Sequence, residues 1–333
     1  MKLVQKNSEK SLANRFWDNL FLYISVIFFV MYHINSISEY LKLLSLPEPL
    51  HPLVSVADVS KTRLVESDVW KKFSLNFYCI SLKKDIAKKL KYGQRYYDFN
   101  KGTMTFLAPN QVQSLEFDEV KMINENCGTG YSLLFYSDFL QKHPLANIIK
   151  NYDFFSYAVN EALHLSEREE KNIIEIFQKI ATEYQHIDQH TQDIILSQID
   201  LLLNYCKRFY DRQFITRKAV NNDLLSQMEQ ILNDYFDSQE GLRNGLLTVD
   251  SVASKLNLSP HYLSDMLRSL TGQNAQHHIH EKLIEKAKQY LISSNLSVSE
   301  IAFQLGFEYP QSFNKLFKKK TAMSPLEFRH TFN

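Results

Sequence analysis

The apolar positions of this chain change period along its length. From Pro52 to Tyr136 they alternate or come in short runs: Leu53–Val59, Lys72–Leu82, Tyr92–Phe99, Gly102–Leu107, Val112–Phe117 and Gly130–Tyr136. Alternation puts successive side chains on opposite faces of an extended chain, so these segments predict strands. Turn-forming residues separate them: Gly93, Asn100-Lys101-Gly102, Pro109-Asn110 and Asn126-Cys127-Gly128. Many short strands close together predict a small β-barrel or sandwich. A short helix at Ile37–Leu44, stopped by Pro47 and Pro49, precedes them. Beyond Tyr136 the spacing becomes helical. Ile173, Phe177, Ile180 and Tyr184 share one face. Ile195, Ile199, Leu202, Cys206 and Phe209 form a firmer seam, which fits packing either on the chain's own sheet or on a second copy in a homodimer. The polar, basic stretch from Asp211 to Asn222 predicts a linker, set at 216–221, and everything after it reads as helix.

The last third contains a repeat. Val252-Ala253-x-x-Leu256-Asn257 recurs as Ile301-Ala302-x-x-Leu305-Gly306, and Pro260, Leu263, Leu267 and Thr271 answer Pro310, Phe313, Phe317 and Thr321. Each copy predicts a short helix, a tight turn and a second helix. Thr248 and Ser259 are N-cap residues, Pro260 and Pro310 suit a first helical position, and Ser297 with Glu300 forms a capping box. Asn257 and Gly306 tolerate the left-handed backbone of a sharp turn. Ser324-Pro325 caps a last short helix ending near Arg329. Between the copies, Gln276 to Ile292 carries Ile279, Leu283, Ala287 and Leu291 on one stripe. A helix of that length spans about 26 Å, against about 34 Å for one turn of DNA. A tandem helix-turn-helix thus makes double-stranded DNA the first partner to consider.

Charge sharpens this picture only locally. Lysine plus arginine number 38 against 37 acidic residues, but Lys315, Lys318, Lys319, Lys320 and Arg329 gather at the end, opposed by Glu327. Cys79, Cys127 and Cys206 are too few and too scattered for a disulfide framework or a metal knuckle, and read as buried free thiols in a reducing cytoplasm. Lys2, Lys6, Lys10 and Arg15 precede the apolar run Leu20–Val30. That run is short of the roughly 20 residues needed to span a bilayer, and no small-x-small cleavage site follows it. Three readings stand: an extension from an upstream start codon, with Met31 as the true start; a membrane tether over residues 15–34; or a core helix.

Ile301 to Pro325, IAFQLGFEYPQSFNKLFKKKTAMSP, closely resembles the signature of the AraC/XylS family of bacterial transcription regulators, and the resemblance extends over about residues 222–333. It implies that the second helix of each motif enters the major groove. By position, it offers Gln311, Asn314 and Lys315 in the second motif; Lys318, Lys319 and Lys320, by their charge alone, are either phosphate contacts or a solvated face. In the first it offers His261, Ser264 and Asp265, with Arg268 one turn on. Three departures from the family pattern matter. Lys315 replaces a usual arginine and lacks its bidentate fork, which softens guanine reading. Ala322 replaces a usual glycine and strains its turn. Asp265 puts a negative charge on the first reading helix, so the first motif is expected to contribute less electrostatically.

The β-rich middle resembles, more weakly, the cupin-like sensor barrel that often precedes this DNA-binding unit. That resemblance rests on Gly102-Thr-Met-Thr-Phe-Leu-Ala-Pro109. A metal-binding cupin has a histidine soon after that proline; here Gln113 stands near the place. No histidine occurs between His51 and His143, and no His-x-His pair is present there. Imidazole ligands hold mononuclear iron or manganese, so neither a metal nor an oxygenase or isomerase activity is expected. His186 and His190, four apart, lack a third ligand nearby, and His277, His278 and His280 read as surface residues. Tyr78, Tyr96, Tyr97, Phe99 and Phe106 are candidates to line the barrel, more as core than as ligand contacts.

The sequence therefore predicts a multidomain α+β chain. Residues 1–30 are a hydrophobic extension. Residues 31–215 form a cupin-like β-barrel with flanking helices for sensing or dimerisation. After the linker, residues 222–333 form an all-α tandem helix-turn-helix of homeodomain-like type. The expected function is a sequence-specific, effector-responsive transcription activator with no catalysis and no cofactor. The expected partners are DNA, RNA polymerase, an unidentified small-molecule effector and a homodimer mate along Ile195–Phe209. The expected place is the cytoplasm, at the nucleoid, unless residues 15–34 tether the chain. A metal-dependent cupin enzyme fused to a DNA-binding unit is the remaining alternative.

Overall fold

The computed structural model describes residues 31–84, 91–92, 95–96, 102–115, 117–125, 127–158, 161–216, 218–238 and 240–331. The apolar run before Met31 lies outside them, as do Tyr97, Phe99 and the side chain of Tyr96. No helix among the described residues is long and apolar enough to cross a membrane.

The front half is β-rich. Strand β1 (Tyr32–Ile34) and helix α1 (Ile37–Leu43) open it, and Ser36 caps the helix by accepting from the Glu39 N–H. Strands β2 (Val54–Asp58), β3 (Phe73–Leu75), β4 (Tyr78–Lys84), β5 (Lys91–Tyr92), β6 (Arg95–Tyr96), β7 (Thr103–Leu107) and β8 (Val112–Gln113) follow. After helix α2 (Phe117–Glu125) come β9 (Thr129–Phe135), the one-turn helix α3 (Leu145–Ile148) and β10 (Leu163–His164). The described strands form a five-stranded antiparallel sheet ordered β10-β7-β4-β9-β2, a three-stranded sheet β1-β3-β8 and the β5-β6 pair.

Strand alternation gives the large sheet two apolar faces. Tyr78, Ile80 and Leu82 of β4 enter one core, together with Met104, Phe106, Leu133 and Phe135. Cys79 of the same strand turns to a second core with Leu134, Ile34, Ile37, Leu41 and Trp70. Burial on both sides explains why this strand reads as a nearly continuous apolar run.

Three segments differ from the sequence expectation. Tyr92–Phe99 is not one strand, since Tyr92 and Arg95–Tyr96 belong to two strands that pair antiparallel. Lys72–Leu82 is two strands, parted at Asn76-Phe77, because β3 and β4 belong to different sheets. Val112–Phe117 extends only to Gln113; the chain then coils into α2, whose Val120 and Ile123 pack into the second core.

Helices α4 (Glu167–Tyr184) and α5 (Thr191–Thr216) cover the first core. A capping box between Ser166 and Glu169 starts α4. The seam predicted as a dimer surface lies inside this layer. Ile195, Ile199, Leu202 and Cys206 are wholly buried against the chain's own sheet and α4, with the Cys206 thiol 3.6 Å from the Met104 sulfur. The apolar stripe Ile195–Phe209, expected to fit either a homodimer or the chain's own sheet, is thus filled intramolecularly and is not itself a surface open to a second copy. All three cysteines are buried free thiols, and burial pushes the Cys206 thiol up.

The stretch expected to be linker is mostly helix. Thr216 ends α5 and α6 (Lys218–Asp237) begins two residues on. The buried Asn221 amide donates to the Phe214 carbonyl at 2.7 Å and ties the two helices across that break. The remaining helices are α7 (Gly241–Asn244), α8 (Val249–Lys255), α9 (Pro260–Thr271), α10 (Ala275–Ser293), α11 (Val298–Gln304), α12 (Pro310–Thr321) and α13 (Pro325–His330).

Candidate nucleic-acid interface

Each motif is built by local signals. Thr248 caps α8, and Ser259 caps α9 with Pro260 in its first turn. The Ser297–Glu300 box caps α11, and the Ser324–Glu327 box caps α13. The turns need left-handed backbone, found at Asn257 (φ 55°) and Gly306 (φ 92°). Val252, Ala253, Leu263 and Leu267 in the first motif, and Ile301, Ala302, Phe313 and Phe317 in the second, are completely buried. That burial fixes which sides of α9 and α12 face outward.

The connector α10 holds the two motifs together. Ile279, Leu283, Ala287 and Leu291 line its buried stripe. Its 19 residues span about 28 Å. Lys286 donates to Asp237 of α6 at 2.6 Å, and this bond holds the Asp237 carboxyl below its usual range. Arg329 of α13 donates to the carbonyls of Leu291 (3.1 Å) and Leu296 (2.7 Å). That arginine belongs to the helix-end architecture rather than to a phosphate-facing row, because orphan carbonyls at a helix C-terminus attract a guanidinium.

The outward side of α12 carries Gln311, Asn314, Lys315 and Lys318, all exposed. The spacing of three, one and three sets them on one face of the helix. Lys319 is exposed at the edge of that face, and Lys320 turns away toward His277, 3.4 Å from its ring. Tyr309, which the sequence reading passed over, precedes α12 and is 60% exposed. It gives the helix no side-chain cap, so the N-terminus of α12 is open. Ala322 ends α12 with φ 64°, a conformation that costs a residue with a Cβ about 1–2 kcal/mol. Ala322→Gly is expected to raise stability by about 0.5–1 kcal/mol, after the entropic cost of glycine. A lower thermal midpoint for this variant would contradict the strained turn.

The first reading helix is placed differently. His261, Ser264, Asp265 and Arg268 also share one face of α9, but that face meets the front domain. Asp265 retains 17% side-chain exposure and is held between Arg268 (2.5 Å) and the Tyr157 hydroxyl, which donates to it at 2.6 Å. Burial pushes its carboxyl up, against the pull of the Tyr157 bond. His261 lies 3.4 Å from Asp153. Tyr262 is buried with its ring against those of Tyr157 and Phe214, both at 5.2 Å. At the helix start, Glu161 accepts from the Ser259 N–H (2.6 Å) and the Ser259 hydroxyl (2.5 Å). Glu161 is itself buried, which pushes its carboxyl up while the Ser259 bonds pull it down.

Asp153, Tyr157 and Glu161 had no sequence signal as interface residues. They lie about a hundred positions from their partners, and contacts between remote segments leave no periodicity.

Elsewhere, His186 and His190 are both exposed, and no group of three or more metal-ligating side chains occurs among the described residues. His277 pairs with Glu281 at 2.9 Å, and His278 lies 2.9 Å from the Thr271 hydroxyl. Burial and the nearby Lys320 lower the His280 imidazole. In the front domain, Tyr78 stacks on Phe135 and Phe106 packs on Phe154, so both are core residues.

Comparison with known proteins points the same way. A family model described as a helix-turn-helix domain matches residues 252–331. Over 115 residues the chain is 31% identical to an uncharacterized HTH-type transcriptional regulator in the cgkA 5' region of Pseudoalteromonas carrageenovora, covering 34% of this chain and 63% of that one. Over 140 residues it is 29% identical to the HTH-type transcriptional activator RhaS of Klebsiella pneumoniae, covering 42% and 45%. Among solved structures, the C-terminal domain of the two-component response regulator yesN from Fusobacterium nucleatum is 33% identical, covering 32% of this chain and 98% of that one, with a TM-score of 0.28. The chain spans about half the length of the curated relatives it matches. Its caps, turns and buried positions repeat twice in the manner of a tandem helix-turn-helix, its relatives are HTH-type transcriptional regulators, and its C-terminal domain is a helix-turn-helix domain of the AraC type.

Proposed function

We propose that this protein is a sequence-specific DNA-binding transcription activator. The observation that carries the reading is the outward face of α12. Gln311, Asn314, Lys315 and Lys318 are exposed together on a helix whose opposite side is locked by Phe313 and Phe317. Amide and ammonium groups are suited to base edges and phosphates in a major groove. The first motif supplies His261, Ser264, Asp265 and Arg268 at a second groove segment once its face is free. Regulation by transcription activation, contact with RNA polymerase and a cytoplasmic, nucleoid location follow from the family and are part of the proposal.

The front domain is read as a cupin-like sensor without catalytic groups. Its support is the antiparallel sheet with Gly102–Pro109 running along β7. Binding of a small-molecule effector would shift which arrangement of the DNA-binding unit is populated.

Lys315→Ala is expected to weaken binding by about 1–3 kcal/mol and to relax discrimination at one base pair. A gel-shift titration against a duplex selected from a random pool checks this. Unchanged affinity together with unchanged sequence preference would remove Lys315 from the reading face.

A further inference from the structure

The two reading helices are in opposite situations. The face of α12 is open, whereas α9 is docked on the front domain over its N-terminal half, from Ser259 to Asp265. At its N-terminus the buried Glu161 carboxylate takes both the backbone N–H and the hydroxyl of Ser259, the residue that caps α9. Glu161 is held in place by accepting from the Ala158 N–H at 2.6 Å, while its own carbonyl accepts from the Tyr210 hydroxyl at 3.1 Å. One turn along, the Tyr157 hydroxyl occupies Asp265. Between them, Asp153 faces His261.

We propose that this front-domain surface, Asp153, Tyr157 and Glu161, is an intramolecular docking site that occupies the first reading helix in place of DNA, so that α9 binds either the front domain or a groove, but not both. The inference rests on the reading of α9 as a DNA-contacting helix. The physical ground is substitution of like for like. The start of a helix attracts an anion, because its amide groups have no partner within the helix. In a protein–DNA complex the start of a recognition helix meets base edges and phosphates. Here a carboxylate holds that end, a second carboxylate faces the first base-facing residue, and a phenol takes the hydrogen-bonding capacity of Asp265. A duplex could not approach these atoms without displacing all three.

The docking is also built to be reversible. The rings of Tyr157, Phe214 and Tyr262 give the seam an apolar centre, its margin at Asp153, Glu161 and Asp265 is polar, and a cleft of about 320 Å³ opens along it between Tyr152 and Lys207 on one side and Arg268 and Ser269 on the other. Polar interfaces within a chain open more readily than apolar ones. In the docked arrangement the chain would engage DNA through α12 alone, over one groove segment. Released, it would engage two.

The test compares the full-length chain with its Glu161→Ala and Tyr157→Phe variants. The probe is a duplex recovered from a random pool by selection on the Glu161→Ala chain. Binding is followed by fluorescence anisotropy and the protected length by nuclease footprinting. Loss of hydrogen bonds to a charged group predicts binding about 10- to 100-fold tighter for Glu161→Ala. The footprint is expected to lengthen by about one helical turn, roughly 10 base pairs. Tyr157→Phe removes only a hydroxyl, so it leaves the fold intact if Glu161→Ala does not, and it should shift affinity in the same direction by about tenfold. If the unaltered chain binds and both variants match it in affinity and footprint, the docking proposal is overturned while the DNA-binding reading stands. If no version of the chain retains duplex, the reading falls and the docking proposal falls with it.

Discussion

Gly306→Ala is expected to cost about 2–5 kcal/mol and to abolish DNA binding through the second motif while leaving the front domain folded. Two effects add. Gly306 has φ 92°, where an L-residue pays about 1–2 kcal/mol. A Cβ built there would also lie 2.2 Å from the Gly245 carbonyl oxygen and 2.5 Å from its carbon. Both are backbone atoms and cannot rotate away. Forcing atoms into such a fixed space costs about 1–3 kcal/mol more. The damage falls on the turn that aims α12, since the Phe307 N–H that follows it bonds to Ala302 at 2.9 Å and Phe307 packs on Phe313. Denaturant unfolding with separate probes for the two halves of the chain would register the loss. A variant with wild-type stability and duplex affinity would show that the turn tolerates a side chain beside the Gly245 backbone.

Leu202→Ala carries an expected loss of about 2–5 kcal/mol, the range for deleting a fully buried leucine side chain. Leu202 is wholly buried on α5, in the seam that fits either a dimer or the chain's own sheet. The two arrangements give different results. With the seam filled intramolecularly, the loss is the same at every protein concentration, and the state of association does not change. Were Leu202 at a subunit interface, unfolding would depend on concentration in the unaltered chain, and the variant would dissociate. Chemical denaturation at two widely separated concentrations, with sedimentation alongside, separates these. Concentration-dependent unfolding would place the Ile195–Phe209 stripe at a subunit interface instead.

How far the sequence was legible followed the range of the interactions involved. The four caps at Thr248, Ser259, Ser297 and Ser324 were readable because a cap acts over three residues. The left-handed turns at Asn257 and Gly306 were readable because only certain residues tolerate them, whereas the turn at Ala322 was expected only from the family resemblance. Strand β4 was located, but its split from β3 was not, since sheet membership depends on partners far along the chain. Helix α2 was missed because Val120 and Ile123 are too few apolar residues to establish a helical period over so short a segment. The linker was misjudged because polarity alone does not separate a loop from an exposed helix; the Asn221–Phe214 bond across the junction is visible only in three dimensions.

The sequence by itself determined that this chain ends in two helix-turn-helix motifs. It also determined which residues of α9 and α12 point away from their cores, since helical periodicity fixes direction once the buried positions are known. It could not determine what those directions meet. Gln311, Asn314, Lys315 and Lys318 face open space, while His261 and Asp265 face Asp153 and Tyr157 across an interface between domains. Only the tertiary structure decided that difference. Residues about a hundred positions apart are brought together by the packing of whole layers, and that packing leaves no pattern in the local order of apolar and polar residues.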